Sequence, residues 1–225
     1  SDIRKLILLA DAIYKNIKKN VYLFESIPEI LSVNIDDAYK IQNYLNANFF
    51  RDGCGEITAW KLAFTSKSLQ EKFNIKAPCY GGVCKKFILD SSSIIKLSNF
   101  KKLGIENEIA IKIKSDIPLI EEPYTESSIF PYIKSFFSAI EVIDDFNIDN
   151  NIINLGALVS SNILNKLIIL GDEVILDDLS IVKNLKTKIT FNQSIVSEGN
   201  TSTVIGSPIN SLIWLANNIG KNDNA

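Results

Sequence analysis

The segment 105–113, IENEIAIKI, alternates like a half-buried strand yet carries Glu106 and Glu108 within its apolar run. Residues i and i+2 of a strand point to the same face, so Glu106, Glu108 and Ala110 share one side. Two carboxylates about 7 Å apart on one face repel each other unless something compensates them. A solvated outer face does so, and so does a bound cation. A third acid, Glu141, lies between Ile140 and Val142 in SAIEVIDDF. Burying an unpaired carboxylate there would cost several kcal/mol. Two such anomalies in one chain suggest that the acids meet. Three carboxylates from two strands, with water completing the shell, suit a hard octahedral cation such as Mg²⁺ or Mn²⁺. The alternative for Glu141 is an ion pair with one of the lysines. Lys61 is the second oddity, an ammonium between Trp60 and Leu62 in an apolar strand. At an edge it would snorkel to water. Desolvated beside a divalent ion, it could serve as an acid or base.

What the chain lacks narrows the chemistry further. It contains no histidine, which removes imidazole from every acid–base and metal scheme. Zinc proteases, Ser-His-Asp hydrolases and Cys-His nucleophiles drop out. Cys54, Cys79 and Cys84 form no Cys-x-x-Cys pair and cannot all be bridged within one chain, so a reducing cytoplasm is the expected home. A net charge of −2 carries no nucleic-acid footprint. No apolar run approaches a membrane span, and no signal-peptide pattern opens the chain. Methionine is absent even at position 1, which implies a trimmed or incomplete N-terminus.

These residues need elements to hold them. The 225 residues, 46% hydrophobic and 22% charged, suffice for one sizeable core or two small ones. Ile3, Leu6, Ile7, Ala10, Ile13 and Ile17 stand at helical spacing. A second helix is expected from an Asn34 cap, with Ala38, Ile41, Leu45 and Phe49 on one stripe and RDGCG as its end. EITAWKLAF reads as a strand, and TSKSLQEKFNI as a short helix capped by Thr65 or Ser66. GGVCKKFIL, SIIKLSNF and IENEIAIKI read as strands. SSIFPYIKSFFSAI reads as helical after Pro131, and IEVIDDF as a strand. Further strands are expected at KLIILGDEVIL, LKTKITFNQSI and SIVSEGN. SPINSLIWLANNIG has a capping Ser207, Pro208 at the first helical position and Gly220 as a stop. The pattern predicts an α+β protein: residues 1–55 an N-terminal helical region, residues 56–225 a strand-rich catalytic region forming one folding unit.

Four stretches then resemble one family, the 2-keto-4-pentenoate hydratases and 4-oxalocrotonate decarboxylases of the fumarylacetoacetate hydrolase superfamily. AWKLAFTSKSLQEKFNIKAPCYGGV resembles the family's aromatic-Lys-aliphatic-Gly-x-Thr-Ser segment with its following Pro-Asp-aromatic-Gly. IENEIAIKI resembles its Glu-x-Glu strand, AIEVIDD its Ala-aliphatic-Glu strand, and VIGSPINSLIWLANNIG its Gly-x-Pro ending. In order, they span from about Tyr39 to the C-terminus. The resemblance implies a mixed, rolled β-sheet core with helices outside, and Mg²⁺ or Mn²⁺ held by Glu106, Glu108 and Glu141. It implies that Lys61 is the catalytic lysine and that Thr65 and Ser66 help bind an anion. Ser160 or Ser161 in ALVSSN would match a substrate-contacting serine. The implied reaction is hydration of a 2-hydroxy-2,4-dienoate through a metal-stabilised enolate, a lyase step of aromatic catabolism. Decarboxylation of a 2-oxo-3-enedioate and hydrolysis of an acylpyruvate are the alternatives within the superfamily. A homo-oligomer, alone or with a sister enzyme, is expected, with no nucleic-acid or membrane partner.

The departures matter too. Cys79 stands where the family has its acid–base Asp, and a thiol's reference pKa lies about four units higher. Phe146 stands where an Arg is common, Ala63 where a Gly is usual, and VSSNILNKLIILG is longer than its counterpart. An intact acid triad with a changed proton partner fits an altered substrate, altered chemistry, or a weakened member acting as a partner subunit.

Overall fold

In the computed structural model, which describes residues 2–144 and 154–221, the two long helices form where the apolar spacing predicts them. Helix α1 (Ile3–Lys19) is capped by Asp2, whose carboxylate accepts from the Arg4 N–H, and it closes on Asn20 in the left-handed conformation. Its buried stripe is Leu6, Leu9, Ala10 and Ile13, whereas Ile3 and Ile7 face solvent. The apolar face is thus turned slightly from the expected one, because Leu9 takes the inward place assigned to Ile7. A short α2 (Leu23–Ser26) leads to α3 (Ile35–Phe49), where the Asn34 side chain accepts from the Asp37 N–H. Ala38, Ile41, Leu45 and Phe49 are all buried as expected; the last three build a core between the helices with Ile13, Leu23, Ile30 and Leu158, while Ala38 packs in a second cluster with Cys79 and Tyr80.

Among the described residues three sheets follow. Strand β1 (Ile57–Ala63) pairs antiparallel with β2 (Cys79–Cys84), and helix α4 (Lys67–Phe73) connects them. Strands β3 (Ile88–Asp90), β4 (Leu103–Ile113), β5 (Ile133–Asp144) and β6 (Asn165–Ile175) form a mixed sheet in the order β3-β6-β5-β4. Only β3 runs parallel to its neighbour. Strands β7 (Lys186–Phe191) and β8 (Ser194–Asn200) make a hairpin whose turn residues Asn192 and Gln193 both have positive φ, as tight hairpin turns require.

Three local expectations fail. Residues 93–100 form no strand; they run as an irregular stretch with one 3₁₀ turn (Leu97–Asn99), and Ile94 and Leu97 face solvent. β-Propensity without a partner strand was not enough there. The helix expected after Pro131 lies before it, as α5 (Glu126–Ile129), which Thr125 opens with a capping box. Pro131 then lies within a 3₁₀ turn (Phe130–Tyr132), and from Ile133 the chain is strand. Its apolar residues stand at helical spacing, and pairing on both edges with β4 and β6 overrides that local signal. GGVCKKFIL is also broken, by a 3₁₀ turn at Lys85–Phe87 between β2 and β3. The last residues of the expected strand IEVIDDF, Asp145 and Phe146, lie outside the described residues.

Helix α6 (Leu155–Ser160) packs on α3, and α7 (Pro208–Asn218) closes the chain. Ser207 caps α7, its hydroxyl accepting from the Ile209 and Asn210 N–H groups at 3.1 and 3.4 Å. Ser207→Ala should therefore lower stability by about 1 kcal/mol in a denaturant titration. A large loss of activity with unchanged stability would instead make Ser207 a substrate contact. Among the described residues, no helix is long and apolar enough to cross a membrane.

Candidate active site

Strand pairing assembles the acids. The β4–β5 register sets Glu106 directly opposite Glu141, and Glu108 opposite Ala139. Residues facing each other across an antiparallel pair project to one side, so Glu106, Glu108 and Glu141 share a face. One carboxylate oxygen from each lies within 4.8 Å of the other two. Burial is graded, with Glu141 at 1% exposure, Glu108 half-buried and Glu106 at the open rim. Both sequence-based readings of the Glu106 face thus hold in part: its rim meets solvent, and its acids converge.

Lys61 completes the cluster from a different sheet. Only 8% exposed, it does not snorkel; its Nζ meets Glu141 Oε1 at 2.5 Å and donates to the Ile163 carbonyl at 3.2 Å. Asn165, at the start of β6, donates to the same Glu141 oxygen at 3.0 Å. Removing either member of such a buried pair would leave a desolvated charge behind.

Three carboxylates against one ammonium leave two negative charges uncompensated, the charge of one divalent cation. Without a cation the site takes up protons. Burial, then the charges of Glu141 and Glu106, push the Glu108 carboxyl up to about 8. Glu106 is raised as well, by desolvation and then by Glu141, with Lys61 opposing. The oxygen-only donor set and its spacing fit a hard cation.

A pH dependence follows. Between the ordinary carboxyl value of 4.5 and about 8, metal-free folded protein keeps a proton on Glu108 that the unfolded chain has lost. Stability should therefore fall as pH rises through that window. The melting temperature of metal-free protein, followed from about pH 5 to about pH 8, is expected to drop, and Glu108→Gln to flatten the slope. A melting temperature that climbs across this window would contradict the assignment of the buried proton.

Cys79 is 1% exposed and lies opposite Ala63 in the β1–β2 pair, while Gly81 lies opposite Lys61. Alternation puts the thiol and the ammonium on the same side of that pair. Burial among Tyr39, Tyr80, Val159 and Leu215 pushes the thiol up to about 12, with Lys61 opposing only in part. At neutral pH it is a protonated thiol, and burial outweighs the neighbouring charge.

The hydroxyls divide. Thr65 is half-buried just beyond β1, and Ser66 caps α4, its hydroxyl accepting from the Leu69 N–H at 3.3 Å. Ser66 also lines a cavity of about 500 Å³ with Lys67, Ser68, Ser202, Thr203, Ile205 and Gly206. Ser161 is turned back into α6, donating to the Ala157 and Leu158 carbonyls. Ser160 is fully buried, and its hydroxyl has no hydrogen-bond partner among the described residues. Asn165 and the Ile163 carbonyl were missed in the sequence. An asparagine opening a strand gives no distinctive signal, and a main-chain oxygen gives none.

The fold is that of a known enzyme. Over 97% of this chain and 81% of the other, the structure matches 4-oxalocrotonate decarboxylase from Pseudomonas putida G7, solved with magnesium and adipate, at a TM-score of 0.81 and 22% sequence identity. Among curated proteins, the chain is 28% identical over 181 residues to a 2-keto-4-pentenoate hydratase of Paraburkholderia phymatum, covering 80% of this chain and 67% of the relative. It is 26% identical over 192 residues to a 2-hydroxypent-2,4-dienoate hydratase of Pseudomonas putida, covering 84% and 83%. No family model matches the chain. Its relatives thus carry the two names, hydratase and decarboxylase, of the family that the four motifs resemble.

Proposed function

We propose that the chain is a divalent-cation-dependent lyase for a small 2-oxo acid, a hydratase that adds water to a 2-hydroxy-2,4-dienoate. The observation that carries this reading is the meeting of Glu106, Glu108 and Glu141 beside the buried Lys61–Glu141 pair. The three glutamates would hold Mg²⁺ or Mn²⁺, and the decarboxylase of similar fold was solved with magnesium. When bound, such an ion supplies a Lewis acid that polarises a 2-oxo group. Lys61 is the group that moves a proton at C3 or C5 of the dienoate, and its burial keeps that transfer away from bulk water. Ser160, with its buried unpartnered hydroxyl, is available to orient the substrate, and Thr65 and Ser66 are the candidates for its anionic end.

A second reading, decarboxylation of a 2-oxo-3-enedioate, is favoured by the structural likeness to the decarboxylase. It needs the same acids and the same lysine. Acylpyruvate hydrolysis would also require a carboxylate to activate water, since imidazole is absent. The rolling of the mixed sheet, the division at residues 55 and 56, self-association and a cytoplasmic home belong to this proposal. The three free cysteines agree with the last.

The test is an assay with Mg²⁺ or Mn²⁺ against 2-hydroxydienoates, enedioates and acylpyruvates. Metal-dependent loss of a dienoate without CO₂ release is expected. CO₂ release from an enedioate would select the second reading. No turnover of any compound would sink both and leave a partner subunit.

Cys79 gives this reading its own prediction. A thiol held near 12 is a poor proton carrier, so turnover of the simplest dienoate should be slow. Cys79→Asp restores a carboxyl beside Lys61 and should raise that rate at least about tenfold, equal to about 1.4 kcal/mol of barrier. Comparing the two proteins on one dienoate at matched metal occupancy checks it. An aspartate variant no faster than wild type would mean that the proton moves by another route.

A further inference from the structure

Between α6 and β6, three consecutive residues that are not glycine, Asn162, Ile163 and Leu164, have φ of 54, 55 and 61°. The left-handed region crowds Cβ against the backbone in L-residues, and most of all in β-branched ones such as Ile163. Single left-handed asparagines are common; a run through isoleucine and leucine persists only where its surroundings enforce it.

The enforcing contacts lie at its first residue. Asn162 Oδ1 accepts from the Gly82 N–H at 3.2 Å, and Asn162 Nδ2 donates to Asn46 Oδ1 at 2.6 Å. The side chain thereby ties the turn both to β2 and to α3. Gly81 and Gly82 leave the room this requires. A Cβ on Gly81 would stand 3.2 Å from the Asn162 carbonyl oxygen, and one on Gly82 would stand 2.9 Å from Asn46 Nδ2. All three turn residues and Asn46 are buried, at 6–7% exposure.

The consequence falls on the lysine. The turn aims the Ile163 carbonyl at Lys61 Nζ, while Glu141 takes a second contact with the same nitrogen. An ammonium has three N–H donors in a tetrahedral arrangement. Once two are directed, the direction of the third is set.

We propose that Asn162 is a positioning residue. Through Asn46 and the Gly82 N–H it holds the left-handed turn, the turn holds the Ile163 carbonyl on Lys61, and the remaining N–H of Lys61 is thereby aimed at the substrate. This rests on the reading that Lys61 moves the proton. Asn162 itself touches no reacting atom.

Asn162→Gly separates the side-chain ties from the backbone conformation, because glycine adopts positive φ without penalty. Against the dienoate that wild type turns over, this variant should lose at least about tenfold in kcat, with KM and Mg²⁺ affinity within about twofold. Asn46→Ala, which removes only the tie to α3, should lose kcat in the same sense by less, and it serves if the glycine variant does not fold. A turn that merely connects two elements would not produce this split between kcat and KM. Crystal structures supply a readout that needs no turnover: in Asn162→Gly the Ile163 carbonyl should move beyond about 3.5 Å from Lys61 Nζ. Unchanged kcat, or a carbonyl still bonded to the lysine in the variant, overturns the proposal. A wild type inactive on every compound overturns the functional reading instead, and the crystal comparison then decides the positioning alone.

Discussion

Lys61→Met is expected to lose about 10²- to 10⁴-fold in turnover while keeping its Mg²⁺ affinity within a few-fold. Methionine nearly fills the space of the lysine stem but brings no proton to the substrate. Glu106, Glu108 and Glu141 remain, so the proposed cation site keeps its three carboxylates. The variant also strips Glu141 of the ammonium 2.5 Å away. Its metal-free form should therefore be markedly less stable than wild type, because a buried carboxylate loses its partner. Bound Mg²⁺ replaces that positive charge, so most of the stability difference should vanish in the loaded protein. Steady-state kinetics beside melting curves, with and without Mg²⁺, check both halves. Near-normal turnover would show that the lysine only neutralises Glu141.

Much of this site was legible because its parts are local. Period-two alternation through residues 105–113 predicts strand β4 and puts Glu106 and Glu108 on one face, as the structure has them. The oddity of an acid between Ile140 and Val142 pointed to Glu141, and that of an ammonium between Trp60 and Leu62 pointed to Lys61. Their pairing was beyond the pattern. No periodicity states that Glu106 faces Glu141 across two strands, or that Lys61 reaches over from the β1–β2 sheet. The family resemblance supplied that long-range link, and the structural likeness bears out the mixed helix-and-sheet fold, though not the rolling of the sheet. Residues 133–140 read as helix because Ile133, Phe136, Phe137 and Ile140 stand at helical spacing, which a strand divides between its two faces. Pairing on both edges overrides that local signal. Asn162 and Ile163 were invisible for another reason: their part is played by a backbone conformation and a carbonyl, which leave no side-chain signature.

Glu108→Ala is expected to abolish specific divalent-cation binding. Glu108 stands two residues along β4 from the exposed Glu106, on the face of the lysine-paired Glu141, and its carboxyl, raised to about 8 without metal, gains most of its charge at neutral pH only with a cation beside it. Removing it leaves two carboxylates, one already engaged by Lys61. Catalysis that depends on the ion should fall with it, whether the substrate is a dienoate or an enedioate. The decisive measurement is calorimetric titration of Mg²⁺ into wild type and Glu108→Ala at about pH 8, where the wild-type site ionises. The expected result is one saturable site per chain in wild type and no saturable heat in the variant. Equal affinity in the two proteins would contradict the metal site on which the whole account stands.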